Sequence, residues 1–324
     1  MQLHHRVDLR HVGRANDLLA PPDREYPPLT RLPFIDAHVH LWDLGRLRYD
    51  WLTSPADGPN GDASPIARTY LPGDYLAEAG AWNVVGAVHV EAGAHPDDAL
   101  AETDWLQGLA DTQGLPSGIV AFAALDDPGI DTMLAAHARR GNVRGVRHIV
   151  NWHADPARTY TARDVTGDAD WARGFALLGK HGLSFDLQAY PAQFATLARL
   201  IERHPATQVI VNHAGMGVDG ADDWRTGMAA LAALPNVAVK LSGLGFVFRP
   251  PTGPEARDRI LATIDLFGTE RAMIASDFPT DRLFAGFDAT LGALDDAVAD
   301  FTNDERRALF ARNANRIYRL DLDV

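Results

Sequence analysis

Two histidines, His38 and His40, stand two residues apart in the run Ile35-Asp-Ala-His-Val-His. On a β-strand, alternation puts Asp36, His38 and His40 on one face, and a strand ending in two imidazoles is expected to turn that face toward a pocket. A core histidine bonded to a neighbouring carbonyl is the competing reading, and it suits one histidine better than a pair. The chain has no cysteine, so a metal must be held by histidine and carboxylate, and a nucleophile must be oxygen-based or water. His213 and Asp277 complete such a set. His38, His40, His213 and Asp277 suit one divalent cation, zinc first, with a position left open for water. Asp277 would take the proton of the attacking water. A metal-free version is equally coherent: Asp277 is the base, while the histidines and Arg147 donate to a developing oxyanion.

These groups need a frame that brings distant segments to one rim. Short β-branched runs alternate with helical stretches along the chain, the pattern of parallel strands with crossover helices. Strands are predicted at 34–40, 84–91, 118–125, 143–150, 183–190, 208–213, 237–243 and 272–277. Helices are predicted at 99–112, 131–140, 171–181, 193–204, 224–234 and 254–267. Eight strands, each with a crossover, close into a (β/α)8 TIM barrel. An open doubly wound sheet is the alternative, but no glycine-rich phosphate loop follows the first strand. In a barrel the catalytic groups sit where strands end, and the predicted strands end at Glu91, Arg147-His148, His213 and Asp277.

Around that core, residues 42–76 read as a loop lining or lidding the pocket. Residues 1–33 read as an N-terminal arm with helical potential at 14–20, wrapping the barrel or a partner subunit, which leaves a homodimer open. Residues 34–324 then form a single barrel domain. Glu91, Arg147 and His148 are expected to contact substrate, although Glu91 could also join a metal shell. Arg147 could fork onto a substrate carboxylate or pair internally with Asp186. His89 reads as core and Lys240 as a support residue. Trp42, Tyr49, Trp51, Trp152 and His153 lie in segments near the pocket, with packing the expected role of the aromatics.

The net charge of −13, without a cluster of basic residues, disfavours nucleic acid and favours a small-molecule substrate. No run approaches the roughly 18 apolar residues of a membrane span, and the first thirty residues lack a secretory apolar stretch. A soluble, cytoplasmic protein is therefore expected, with no membrane partner.

Several segments together resemble the amidohydrolase superfamily, of the amidohydrolase-2 type. They are IDAHVHLWD at 35–43, YDWL at 49–52, AETDWL at 101–106, RGVRHIV at 144–150, FDL at 185–187, NHAG at 212–215, KLSG at 240–243, SDFP at 276–279 and NANR at 313–316. The closest branch is that of the lactonases related to 2-pyrone-4,6-dicarboxylate lactonase and the sugar-acid (fucono/rhamnono) lactonases. The resemblance implies His38, His40, His213 and Asp277 at the catalytic positions, Asp277 as general base, and opening of a small lactone by activated water. A metal-dependent decarboxylase of an aromatic or unsaturated carboxylate is the alternative on the same fold. Two-metal relatives bridge their ions through a lysine on strand 4, where this chain carries Arg147 and His148. Its only lysines are Lys180 and Lys240. The strand-5 histidine of many relatives gives way to Asp186, Gln188 or Tyr190. One metal or none is the implied outcome.

Overall fold

The structure, a computed structural model, describes residues 32–53, 59 and 61–324. The arm assigned to residues 1–33, with its helical stretch at 14–20, therefore lies almost wholly outside the described residues. Eight strands form one sheet in chain order: β1 (Phe34–Val39), β2 (Val84–Val90), β3 (Gly118–Phe122), β4 (Val143–Arg147), β5 (Ser184–Leu187), β6 (Val209–Val211), β7 (Val237–Leu241) and β8 (Ala272–Ile274). Each pairs in parallel with the next. The last seam closes just beyond β8, where Val39 bridges Phe278. There the Asp277 amide donates to the His38 carbonyl at 2.9 Å, and the His40 amide to the Phe278 carbonyl at 2.8 Å.

Parallel strands buried on both faces need apolar side chains on both, which is why β6 reads Val-Ile-Val without a polar residue. Ile35, Val88, Val120, Ile210 and Met273 pack inside the barrel. Phe185, Val209, Val211 and Val239 belong to the outer layer, packed against helix residues such as Trp171 and Phe175. The returning helices are Pro72–Glu78, Ala99–Gln113, Ile130–His137, Ala169–Leu177, Pro191–Glu202, Ala221–Ala232, Pro254–Phe267 and Phe287–Ala297. Three of them begin on proline, whose fixed φ and missing N–H suit the first helical turn. Gly174 lets the fourth close in on the chain after β3, since a Cβ there would stand 1.9 Å from the Leu125 carbonyl oxygen.

The terminal helical stretch through Asn313–Tyr318 shares the interior cluster through Ala311, Ala314, Ile317 and Tyr318. It closes the mouth where the strands begin, so the free mouth is the one where they end.

Three expectations change. The predicted strands run one to three residues too far at their C-terminal ends, because the chain leaves the ladder there, in places to carry a side chain such as His40, Gln188, His213 or Asp277 to the cavity. The segment 42–76 is not loop throughout: it carries Asp50–Thr53, a 3-10 turn at Ser64–Ile66 and the start of the helix at Pro72, with Trp42, Tyr49, Leu52 and Tyr70 buried. Asp36 does not share a face with the histidines. The pairing register of β1 shifts between Asp36 and Val39, so the simple alternation is lost there. Asp36 instead accepts from the Tyr75 hydroxyl at 3.0 Å and the Ser276 amide at 2.9 Å.

Candidate active site

The chain ends of β1, β4, β5, β6 and β8 meet around one cavity of about 370 Å³ at the open mouth. His40, Arg147, Gln188, His213, Asp277 and Thr280 supply its polar lining, and Trp51, Ile149 and Phe246 are among its apolar walls. That volume suits a small molecule.

Asp277 lies at the centre of the polar cluster. Its Oδ1 is 3.2 Å from Nε2 of His40 and 3.3 Å from Nε2 of His38, and the two Nε2 atoms are themselves 3.2 Å apart. The other oxygen, Oδ2, is buried without a hydrogen-bond partner among the described residues and stands 3.9 Å from Nδ1 of His213. Burial alone would raise the Asp277 carboxyl, but the charged and hydrogen-bonding groups around it, the Arg147 guanidinium among them, hold the group below its ordinary value. Burial lowers His213 to about 3, so its ring is neutral near pH 7. His38 falls well below its ordinary value, through burial first and then the charge of Lys240.

Backbone geometry marks the same residues. His213 has φ 53° and Asp277 φ 59°, both in the left-handed region that non-glycine residues seldom enter. Such conformations persist where the surrounding structure imposes them, and they cluster at functional sites. Gly243 has φ +60°, and a Cβ on it would fall 2.4 Å from Nδ1 of His213. Here glycine is needed twice, for its φ and for the space.

The cluster passes a geometric test for a divalent cation. Tetrahedral ligands 2.0–2.1 Å from an ion stand about 3.3–3.4 Å apart. The triangle of His38 Nε2, His40 Nε2 and Asp277 Oδ1 has edges of 3.2, 3.2 and 3.3 Å. Ligand atoms of His38, His213 and Asp277 also lie within 4.8 Å of one another. The His40 geometry agrees, since Nδ1 lies 2.7 Å from the Val90 carbonyl and donates to it, so that in the neutral ring Nε2 carries a bare lone pair. At His38, Nδ1 faces the Lys240 ammonium at 3.3 Å. A charged Lys240 makes that nitrogen an acceptor and places hydrogen on Nε2, where it points at Asp277. Burial pulls Lys240 below its ordinary value, against the raising influence of Asp186. His38 Nε2 is free to ligate only where Nδ1 carries the hydrogen and a neutral Lys240 accepts it.

The remaining predicted residues separate. Arg147 is buried, and three of its five N–H groups have protein acceptors: Nε donates to Glu91 Oε1 at 2.7 Å, one terminal nitrogen to the Glu91 carbonyl at 2.7 Å, and the other to Gln188 Oε1 at 2.9 Å. Glu91 is therefore the ion-pair partner of Arg147, and its second oxygen accepts from the Gly93 amide at 2.9 Å. Asp186 does not pair with Arg147; it takes Lys240 at 2.6 Å, with Tyr318 and Asn212 as further donors. His148 is a correction. It follows Arg147 directly and so faces the other way, where Nδ1 accepts from the Leu125 amide and the Trp171 indole at 3.2 and 3.3 Å, outside the cavity lining. His89 is buried, with Nδ1 accepting from the Leu41 amide at 3.1 Å. Of the flanking residues, Trp51 reaches the cavity, while His153 pairs with Asp219 at 3.0 Å.

Sequence reasoning overlooked Tyr160, Phe246 and Thr280. Thr280 adjoins the SDFP run, a signal that could have found it. Tyr160 lies in a long irregular stretch after β4 without periodicity, and nothing local marks it.

The amidohydrolase sequence profile matches residues 35–320. The chain is 41% identical over 300 residues to an uncharacterized protein, y4mH, of Sinorhizobium fredii, spanning 90% of this chain and 100% of that one. It is 30% identical over 301 residues to an L-fucono-1,5-lactonase of Burkholderia multivorans, spanning 88% of this chain and 96% of the relative. Among solved structures, a Burkholderia multivorans amidohydrolase with bound zinc superposes with a TM-score of 0.73 at 29% identity, covering 88% of this chain and 99% of that one.

Proposed function

Because the chain belongs to the amidohydrolase family, we propose that it opens a small, uncharged lactone by adding water to the carbonyl carbon. One observation carries the choice of an uncharged substrate. Arg147 is the only Lys or Arg side chain lining the cavity among the described residues, and its charge is already met by Glu91. A carboxylate in the cavity would face Asp277 with no unpaired Lys or Arg side chain to offset it. This disfavours the decarboxylase alternative and any lactone carrying carboxylates. The likeness to an L-fucono-1,5-lactonase supports a sugar-acid lactone.

In this reading Asp277, ionised at neutral pH, accepts a proton from water on its unpartnered Oδ2. The water oxygen bonds to the carbonyl carbon and the carbonyl π pair moves onto its oxygen. As the carbonyl re-forms, the ring C–O bond breaks and Asp277 returns the proton to the departing ring oxygen. The product is an open hydroxy acid. A divalent cation held by His40, Asp277 and their histidine neighbours would polarise the carbonyl and acidify water. His213, kept neutral by burial and 3.1 Å from Ser242 Oγ, is a fixed dipole beside the base.

The test is a pH-indicator screen of neutral sugar lactones, a pyrone dicarboxylate and hydroxybenzoates, with CO₂ measured in parallel. Proton release from neutral lactones alone is expected. CO₂ release, or a preference for the dicarboxylate, would overturn the reading.

A further inference from the structure

We propose that the side-chain amide of Gln188 is a substrate-binding donor, holding an uncharged acceptor oxygen of the substrate through Nε2. The Arg147 guanidinium has five N–H donors and no acceptor, so the atom of Gln188 that meets it at 2.9 Å must be the carbonyl oxygen. This fixes an amide orientation that is otherwise ambiguous. With Oε1 turned to Arg147, the NH₂ group turns away from it.

No residue among those described accepts from that NH₂ group, while Gln188 is itself buried and lines the cavity. The orientation is held from behind. The Gly93 amide binds Glu91, Glu91 binds Arg147 through both its side chain and its carbonyl, and Arg147 binds Gln188. The backbone of Gln188 is pinned too, its carbonyl accepting from the Val150 amide at 3.1 Å. The NH₂ group is not among the sealed, unpartnered side-chain atoms of the described residues, so it opens on the cavity, where a substrate oxygen can replace water as its acceptor. The charge of Arg147 is paired with Glu91, and the donor that Gln188 adds to the cavity is neutral. It selects an uncharged oxygen and gives no advantage to a carboxylate bearing its own counter-ion. Arg147 is thus a positioning residue, and Gln188 makes the contact.

This inference rests on the lactone reading, and its test separates the two. Gln188→Glu keeps an oxygen for Arg147 but removes the donor, whereas Gln188→Met removes both without adding charge. On the best neutral lactone, both variants should lose kcat/KM by on the order of ten- to a hundred-fold, with thermal stability retained in Gln188→Glu. Values within about twofold of wild type for either variant would overturn the assignment. If wild type turns over no lactone, the hydrolytic reading fails. Calorimetric binding of a sugar δ-lactam, inert and uncharged, then decides Gln188. Binding that is lost in both variants sustains the donor role; equal binding, or none to wild type, overturns it.

Discussion

His213 rests against the bare Cα of Gly243, where a Cβ would stand 2.4 Å from its Nδ1. Gly243→Ala must displace the ring, and it also places a side chain at φ +60°. A shift of 1 Å in a catalytic group can cost about 100-fold in rate. The variant should lose activity by on the order of that factor and stability by about 1–3 kcal/mol. Steady-state kinetics and urea unfolding measure the two effects. Wild-type kinetics would show that the position of His213 does not matter to the reaction.

Asp277→Asn removes the proton acceptor while keeping shape, and asparagine tolerates the left-handed φ of 59° found there. Activity should fall by about 10²–10⁴-fold with the far-ultraviolet circular dichroism unchanged. Turnover close to wild type would remove Asp277 from the role of base.

Glu102 gives a pH-dependent prediction. Burial first, and then the charge of Glu91, raise it from 4.5 to about 8. Between those values the unfolded chain is ionised at this position and the folded chain is protonated, so folding takes up a proton and stability falls as pH rises. Above the folded value both states are ionised and the slope ends. Glu102→Gln lacks this slope. The difference in melting temperature between variant and wild type should therefore move in favour of the variant across that window, as calorimetry in matched buffers would show. A constant difference would mean that Glu102 is ionised throughout.

The His40 tautomer predicts metal dependence. Protein purified with zinc present should carry one ion per chain by elemental analysis, and His40→Ala should carry markedly less. Chelation should lower the activity of wild type, with zinc restoring it. Unaltered activity after complete removal would favour Asp277 working with donors alone.

Much of the architecture could be read directly, because strands such as Val209–Val211 and helices such as Pro254–Phe267 announce themselves by composition and period. His40, His213 and Asp277 were visible as polar residues at strand ends, where a barrel gathers its chemistry. Three features escaped for identifiable reasons. Asp36 was put on the wrong face because a register shift leaves no mark in alternation. His148 was grouped with Arg147 although neighbours on a strand point apart. The pairing of Arg147 with Glu91 rather than Asp186 depends on which side chains meet across the barrel, a matter of three-dimensional distance. Gln188 stood among the candidates for the strand-5 position, but only the fixed orientation of its amide gives it a task.

The seam between the first strand and the chain beyond the last one has a bearing on how the molecule comes to exist as an enzyme. The bonds that join it run from Asp277 to His38 and from His40 to Phe278. The stitches are the reactive residues and their immediate neighbours. An incomplete barrel, lacking only its eighth stave, would contain both histidines of the first strand and still have no base to serve. On the proposed mechanism, competence arrives with the final turn of the wall, and hydrolytic activity would report completion of the barrel.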